Sequence, residues 1–158
     1  MDYLVNLSLL GPDPALDQRL AETGVTVRRA LAPEYELVTG WVRRTFSAGW
    51  AGETAVSFMR QPPACFLATR AGELVGFACH ESIARGFFGP TGVDEAARGQ
   101  GIGHALLLAS LLDLKTMGYA YAIIGDVGPS EFYERTVGAT QIPNSEPGIY
   151  AGLLKSAD

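Results

Sequence analysis

Blocks of apolar and polar residues follow one another along the second half of the chain and predict strands and helices in turn. Phe87–Val93 has the aromatic and β-branched content of a strand. Gly103–Met117 is rich in good helix formers, nearly all apolar at the start, and Gly118 ends it. Tyr119–Gly125 alternates aromatic residues with alanine before two isoleucines, as a central strand does. A short helix is predicted to open at Gly128–Glu131, where a proline suits the first helical position.

The first half of the chain shows the same kinds of pattern less sharply. It predicts a strand, two helices and a β-hairpin whose three-residue loop contains the expected glycine. In order, these elements cover Val25–Ala30, Pro33–Phe46, Gly49–Arg60, and the hairpin strands Cys65–Arg70 and Leu74–Glu81.

The first 24 residues stand apart from this alternation and are interpreted as an N-terminal extension. Tyr3–Leu10 fits an extra strand and Asp13–Glu22 a short helix after a Gly-Pro pair. Such an extension could form a dimer-forming arm or a cover over the sheet edge. Residues 25–158 are predicted to form the main domain, and a homodimer is a further expectation.

Composition favours one compact domain. The 158 residues are 47% hydrophobic and 18% charged, which suits a single core and argues against disorder. We find no membrane-spanning run and no signal-peptide pattern, so the sequence predicts a cytoplasmic protein without a membrane partner. Cys65 and Cys79 lie in apolar strand-like runs, which favours buried thiols over a disulfide. No His/Cys cluster has metal-ligand spacing, so no metal is expected.

The net charge of −5 argues against nucleic acid as a partner, because no basic field would collect phosphates. The same acidity mildly favours a cationic substrate such as an amine.

A glycine-rich run, Arg98-Gly99-Gln100-Gly101-Ile102-Gly103, separates the strand that ends at Val93 from the long apolar helix. Its glycines let the backbone approach an anion closely, so that several N–H groups point at one diphosphate. The helix start adds unpaired amides and its positive dipole end. Arg98 supplies a full charge, and His104 falls in the first helical turn. The alternative is a glycine-rich loop that merely turns.

Two other phosphate-binding patterns fit this run less well. A P-loop requires a lysine after its last glycine, and none follows Gly103. A dinucleotide fingerprint places its third glycine one residue later and opens the first strand-helix unit. The run instead resembles the Q/R-x-x-G-x-G/A signature of the GNAT superfamily of acyl-CoA-dependent N-acetyltransferases, with Arg98, Gly101 and Gly103 at the defining positions.

This resemblance implies an α/β fold with a mixed, mostly antiparallel twisted sheet flanked by helices. The sheet would have a V-shaped split between the fourth and fifth core strands, and Pro90 and Gly92 are compatible with such a break. By resemblance, the backbone of Gly92 and Val93 would lie along the acyl-pantetheine arm of acetyl-CoA. The alternative is an edge strand with a turn at Gly89-Pro90.

The resemblance also implies catalytic groups. Tyr133, in Phe-Tyr-Glu-Arg, is similar to the family's tyrosine that protonates the leaving thiolate, although the spacing to Gly138 is one residue longer. Its alternative role is a half-buried core residue. The general base is less defined: Glu81 is our candidate, and His80 beside it could also serve. The backbone amide of Val93 would stabilise the developing oxyanion.

The acceptor pocket is expected to contain aromatic side chains. Phe46, Trp50 and Phe87 are the candidates, with Phe88 beside them, and Tyr150 would close one side from a C-terminal strand. Each could equally be a core residue.

The sequence therefore predicts transfer of an acetyl group from acetyl-CoA to a primary amine by direct attack in a ternary complex. The acceptor would be a small-molecule amine or a peptide N-terminus. Two alternatives stay open: a non-catalytic acyl-CoA-binding or sensing module, and a different protein that uses the same turn to bind NAD or ATP.

Overall fold

The computed structural model describes residues 1–155, and within them the chain forms seven strands and five α-helices. The strands are β1 (Tyr3–Asn6), β2 (Val25–Arg29), β3 (Cys65–Arg70), β4 (Glu73–His80), β5 (Phe87–Val93), β6 (Tyr121–Ile124) and β7 (Thr140–Gln141). The helices are α1 (Pro14–Glu22), α2 (Tyr35–Thr45), α3 (Ala48–Phe58), α4 (Ile102–Thr116) and α5 (Ser130–Val137). From β2 to α5 their order is the one that the sequence predicts.

The strands form one sheet in the order β2-β3-β4-β5-β6-β1-β7. Every neighbouring pair is antiparallel except β5 and β6, which run parallel. The mixed, mostly antiparallel α/β fold predicted from the sequence is thereby confirmed.

The sheet splits between β5 and β6, the fourth and fifth core strands. Their pairing is limited to two positions, Phe87 with Ile123 and Phe88 with Ile124. Beyond these positions β5 continues to Val93 paired with β4 alone. Pro90 has no N–H to donate, and Gly89 has a φ of 120°, a backbone conformation that favours glycine. The edge-strand alternative is wrong, since β5 has a neighbour on each side.

The N-terminal segment forms an extra strand inside the sheet, and a dimer-forming or edge-covering role for it stays a prediction. β1 pairs antiparallel with β6 on one side, where Tyr3 lies opposite Ile124, and with β7 on the other, where Leu4 lies opposite Thr140. The strand is shorter than predicted because a 3-10 turn begins at Leu7. A separate domain boundary at residue 24 stays a prediction, and residues 156–158 of the second unit lie outside the described residues.

Side chains on the two sheet faces form two apolar clusters. On one face Phe77 and Cys79 of β4 pack in a cluster with residues of α2 and α3. Ala78, which points the opposite way because strand side chains alternate, packs in a larger cluster with α1, α4 and α5. Cys65 lies opposite Cys79 in the register, and both are buried free thiols.

Helix α4 is apolar around most of its circumference, which is typical of a helix covered on several sides. Eight of its residues are buried, among them Leu107, Leu111 and Leu114. This burial fixes the helix against the sheet, so that its first turn lies at the mouth of the split.

Candidate functional site

A cavity of about 670 Å³ occupies the split between β5 and β6. Its walls come from the second half of β5, the glycine-rich turn, the first turn of α4, the chain after β6, and α3 and α5. The cavity exists because β6 ends at Ile124, opposite Phe88, whereas β5 continues to Val93 with no strand of the described residues on that side. Its size is within the usual range for small-molecule sites.

The glycine-rich turn forms one end of this cavity. Gly99 and Gly101 have φ values of 78° and 85°, which side chains rarely adopt, and these values bend the chain into the start of α4. Gly101 is the N-cap residue and offers no side-chain hydrogen bond to the helix. The N–H of Ala105 is the first to bond back, to the carbonyl of Gly101. The amides of the first turn are therefore open to an anion.

Eight of the nine residues predicted to bind the cofactor line the cavity. They are Gly92, Val93, Arg98, Gly99, Gly101, Ile102, Gly103 and His104. Gln100 is not among the lining residues, and its side-chain oxygen instead accepts a hydrogen bond from Arg70. The Ile102 side chain is buried in the core, so that this residue offers the cavity its backbone.

The backbone of Val93 faces the split. The N–H of Asp94 donates to the carbonyl of Val75 on β4 over 2.8 Å. Because peptide groups in an antiparallel strand alternate in direction, the N–H of the preceding residue, Val93, points away from β4. Its carbonyl accepts a hydrogen bond from Nε of Arg98 at 3.1 Å, which fixes that side chain at the rim of the turn.

Tyr133 reaches the cavity from α5. Its ring is mostly buried and makes edge-to-face contacts with Phe88 and Phe132, with centroid distances of 6.5 and 5.0 Å. Burial raises the pKa of the Tyr133 phenol, so the hydroxyl carries its proton at neutral pH. A protonated phenol therefore lines the split.

Glu81, the sequence-based candidate for the general base, is not brought to this cavity. After β4 the backbone turns into the left-handed region, with a φ of 61° at Glu81. Its carboxylate folds back and accepts hydrogen bonds from the N–H of Gly86 and from the Tyr119 hydroxyl at 3.1 Å. It is not among the residues that line the cavity, and its visible contacts hold the loop between β4 and β5.

His80, the second candidate, is fully buried and faces α4. Its Nε2 lies 2.6 Å from Oδ2 of Asp113 on α4. Nη2 of Arg29 lies 2.6 Å from the other carboxylate oxygen. Burial lowers the His80 pKa despite the acid beside it, so a neutral imidazole donates to Asp113. This cluster holds α4 against the sheet.

The predicted pocket aromatics divide between the cavity and the core. Trp50 lines the cavity and Phe46 and Phe87 do not. Phe46 lies directly against Gly92, where an added Cβ would come within 2.4 Å of its ring. Phe87 is buried and packs near Gly125. The two rings occupy the space that side chains at Gly92 and Gly125 would need, and so pack directly against the backbone that lines the cavity.

Tyr150 closes one side of the cavity, as expected, but from a 3-10 turn (Gly148–Tyr150) and not from a strand. Its hydroxyl lies against Gly125, where an added Cβ would come within 2.3 Å. The pKa of Tyr150 is raised to about 12 by burial and by the charges of Asp2, Glu53 and Asp126.

Glu53 is the site residue that the sequence analysis missed. It lies on α3, half-buried, and lines the cavity together with Trp50 one helical turn earlier. Burial raises the pKa of its carboxyl group. A sequence signal was present, since Glu53 is the single charged residue of an otherwise apolar and small-residue helix.

Among the described residues no helix is long and apolar enough to cross a membrane. In the same part of the chain, no group of three or more His, Cys, Asp or Glu side chains is arranged to hold a metal ion.

Comparison with known proteins agrees with this architecture. The model of the acetyltransferase (GNAT) family matches residues 26–139. No curated protein is significantly similar to the chain in sequence.

Solved structures with the same fold include the glucosamine N-acetyltransferase region of a fungal multi-domain β-N-acetylglucosaminidase, with a TM-score of 0.69 and 16% identity over 86% of this chain. An N-acetyltransferase from Sphaerobacter thermophilus has a TM-score of 0.58 and 19% identity over 88% of the chain. An aminoglycoside N-acetyltransferase in complex with CoA has a TM-score of 0.54 and 16% identity over 74% of it. The chain spans 19%, 47% and 88% of these three proteins, respectively.

Fold and site together define an α/β domain with a split sheet and, at the mouth of the split, the glycine-rich turn Arg98–Gly103, called the cradle below. The chain belongs to the acetyltransferase (GNAT) family. Membership supports acyl-CoA-dependent acetyl transfer as the general class of its activity.

Proposed function

We propose that this protein transfers an acetyl group from acetyl-CoA to the primary amine of an acceptor, by direct attack while both are bound. The observation that carries the proposal is the single cavity in which the glycine cradle, the outward-facing amide of Val93 and the Tyr133 phenol come together. CoA is bound by the aminoglycoside N-acetyltransferase that shares the fold, which supports acetyl-CoA as the cosubstrate.

The cradle fits the diphosphate of CoA. An added Cβ at Gly99 would meet nothing within 4 Å, so the space beside this residue is open. The open first-turn amides of α4 and the guanidinium of Arg98 supply donors and positive charge there. The backbone of Gly92 and Val93 would follow the pantetheine arm into the split. Acetyl-CoA supplies the thioester, and the residues of the chain orient and polarise it.

Two groups are assigned to the acyl transfer. The N–H of Val93 donates to the thioester oxygen, where negative charge develops as the amine attacks. Tyr133 gives its phenolic proton to the sulfur as the carbon–sulfur bond breaks, and a raised pKa keeps that proton available at neutral pH. The ammonium nitrogen loses two protons in all: one is released before the attack, and the other restores the Tyr133 phenol as the amide forms. The sum of the step is an amide, free CoA and one released proton.

The proton released from the ammonium needs an acceptor. Glu81 stays a sequence-based candidate, but its carboxylate is engaged by Gly86 and Tyr119 outside the cavity. A chain of water molecules through the open mouth of the cavity would serve in its place.

A cytoplasmic location and a homodimer also stay predictions from the sequence.

Ligand binding tests the cofactor class first. Thermal unfolding is measured with acetyl-CoA, CoA, NAD and ATP side by side, because a ligand at a hundred times its Kd stabilises the folded state by about 2.7 kcal/mol. We expect stabilisation by acetyl-CoA and CoA alone. A preference for NAD or ATP would contradict the proposal.

Release of the CoA thiol in the presence of a panel of amines then tests the activity. We expect amine-dependent release. Tight acetyl-CoA binding without release for any amine, including peptides with a free N-terminus, would identify a binding module in place of an enzyme.

A further inference from the structure

The cavity contains a half-buried carboxylate that no protein group neutralises. Glu53 faces the cavity from α3, and burial alone accounts for its raised pKa. Within residues 1–155 no hydrogen bond or ion pair reaches this carboxylate. Removing an acid from water without a cation costs free energy. An acid in a cleft that bears this cost is a candidate for binding or catalysis.

The two ends of the cavity carry opposite charge. Arg98 and the positive end of α4 lie at the cradle, and Arg98 is the only Lys or Arg among the lining residues of the described chain. Glu53 and Asp126 line the other end. The negative charges of both acids help to raise the pKa of Tyr150. A ligand that enters this end is therefore favoured if it carries positive charge.

Flat apolar surfaces surround the acid. Trp50 is held by aromatic contacts with Phe46 and Phe77, with centroid distances of 5.2 and 6.3 Å. Tyr150, in its 3-10 turn, is held by its contact with Gly125, the residue after β6. Because neighbouring groups fix these rings, they provide rigid walls before any ligand binds, and rigid walls reduce the entropy cost of binding.

We propose that the acceptor is a small primary amine with one ammonium group joined to a flat apolar body. Glu53 binds the ammonium, and Trp50 and Tyr150 hold the apolar body. Polycations are disfavoured, because the second acid, Asp126, is largely exposed and lies 3.9 Å from the N-terminal ammonium of Met1. Further ligand charges would therefore lie against apolar walls. This substrate class rests on the proposed function, whereas the amine-binding role of Glu53 can be measured without turnover.

The test is calorimetric binding of 2-phenylethylamine to the CoA-loaded protein. We compare the wild type, Glu53→Gln and the control Glu36→Gln, which neutralises an exposed acid on α2. For Glu53→Gln we expect at least a tenfold higher Kd for the amine and an unchanged Kd for CoA. Glu36→Gln is expected to change neither value by more than twofold. 2-Phenylethanol, which lacks the ammonium, is expected to bind the wild type and Glu53→Gln equally weakly.

Equal Kd values of 2-phenylethylamine for the wild type and Glu53→Gln would overturn the inference, as would tighter binding of the polycation kanamycin. Thermal unfolding verifies that each variant is folded. Glu53-dependent amine binding without thiol release supports the amine site and contradicts acetyl transfer, so the two proposals fail by different results.

Discussion

Two acids that folding removes from water have opposite surroundings. Asp113 accepts hydrogen bonds from Arg29 and His80, each at 2.6 Å. Burial alone would raise the Asp113 pKa, and these two hydrogen bonds outweigh it, so the pKa is lowered. Glu53 has no such partner, and burial leaves its pKa raised. The protein satisfies the first acid by itself, whereas the second is left to be satisfied by a ligand.

The same difference separates the regions around the two acids. The cluster of Arg29, His80 and Asp113 joins β2, β4 and α4 by one ion pair and one hydrogen bond to a neutral imidazole, and apolar packing closes it. The split is lined by glycines, outward-facing amides and unpaired side chains. We therefore expect changes in the cluster to alter the free energy of unfolding, and changes in the cavity to alter binding and turnover.

The largest effect is expected for Asp113→Ala. This change leaves Arg29 and His80 without their shared partner, and breaking one side of a buried pair costs about 3 kcal/mol of unfolding free energy. Denaturant titration measures the loss, with the exposed Glu134→Ala on α5 as the control. Below the unfolding temperature, KM for acetyl-CoA is expected to stay within twofold. A loss under 1 kcal/mol would show that the cluster contributes little to stability.

Tyr133→Phe tests the opposite pattern, a loss of turnover with the fold retained. The ring contacts with Phe88 and Phe132 persist, and only the proton donor is lost. We expect kcat to fall about 100-fold, equivalent to about 2.7 kcal/mol, with KM for acetyl-CoA nearly unchanged. The control is Tyr121→Phe, an exposed tyrosine on β6. An unchanged kcat removes the acid role from Tyr133.

The cradle is tested by Gly103→Asp and its neutral counterpart Gly103→Asn. An added Cβ at this position meets only Val93 and Phe132, at 3.8 and 3.9 Å, which is ordinary contact. An acid in the first helical turn is not destabilising, so both variants are expected to fold. The charge opposes the diphosphate, and we expect CoA binding about tenfold weaker for Asp than for Asn. Equal Kd values for the two variants would indicate that no anion binds there.

The smallest effect concerns pH. Burial lowers the His80 pKa in the folded protein, so the unfolded chain binds a proton first as the pH falls below about 6.5. Stability is therefore expected to fall from pH 6.5 downwards. Asp113, with its lowered pKa, extends the loss to lower pH. Unfolding free energies between pH 8 and 4 are compared for the wild type and His80→Gln. An equally steep loss in the variant would exclude His80 as its source.

Residues that act through local backbone geometry were predictable from the sequence. The glycines of the cradle require left-handed angles within a few residues of one another, and α4 follows from its apolar run. The split followed from Pro90 and Gly92 together with the family resemblance. The short motif around Tyr133 led to a residue that lines the cavity, and its role as the acid stays a prediction.

Residues whose role depends on distant partners were not predictable. Glu81 directly follows β4, the strand that pairs with β5, but a left-handed backbone conformation directs its carboxylate to Tyr119. Phe46 and Phe87 have the aromatic rings expected of an acceptor pocket, but these rings pack beside Gly92 and Gly125 and do not line the cavity. Glu53 reaches the cavity because α3 packs against the sheet beside the split.

By itself, the sequence determined the order of elements, the cradle and the class of chemistry, because these depend on backbone angles and periodicities that neighbouring residues set. Only the tertiary structure decided that Tyr3 pairs with Ile124 inside the sheet, that Asp113 is neutralised and that Glu53 is not. Those outcomes depend on which groups from remote parts of the chain meet where water is excluded, and in such places an unpaired charge or an unpaired strand is costly.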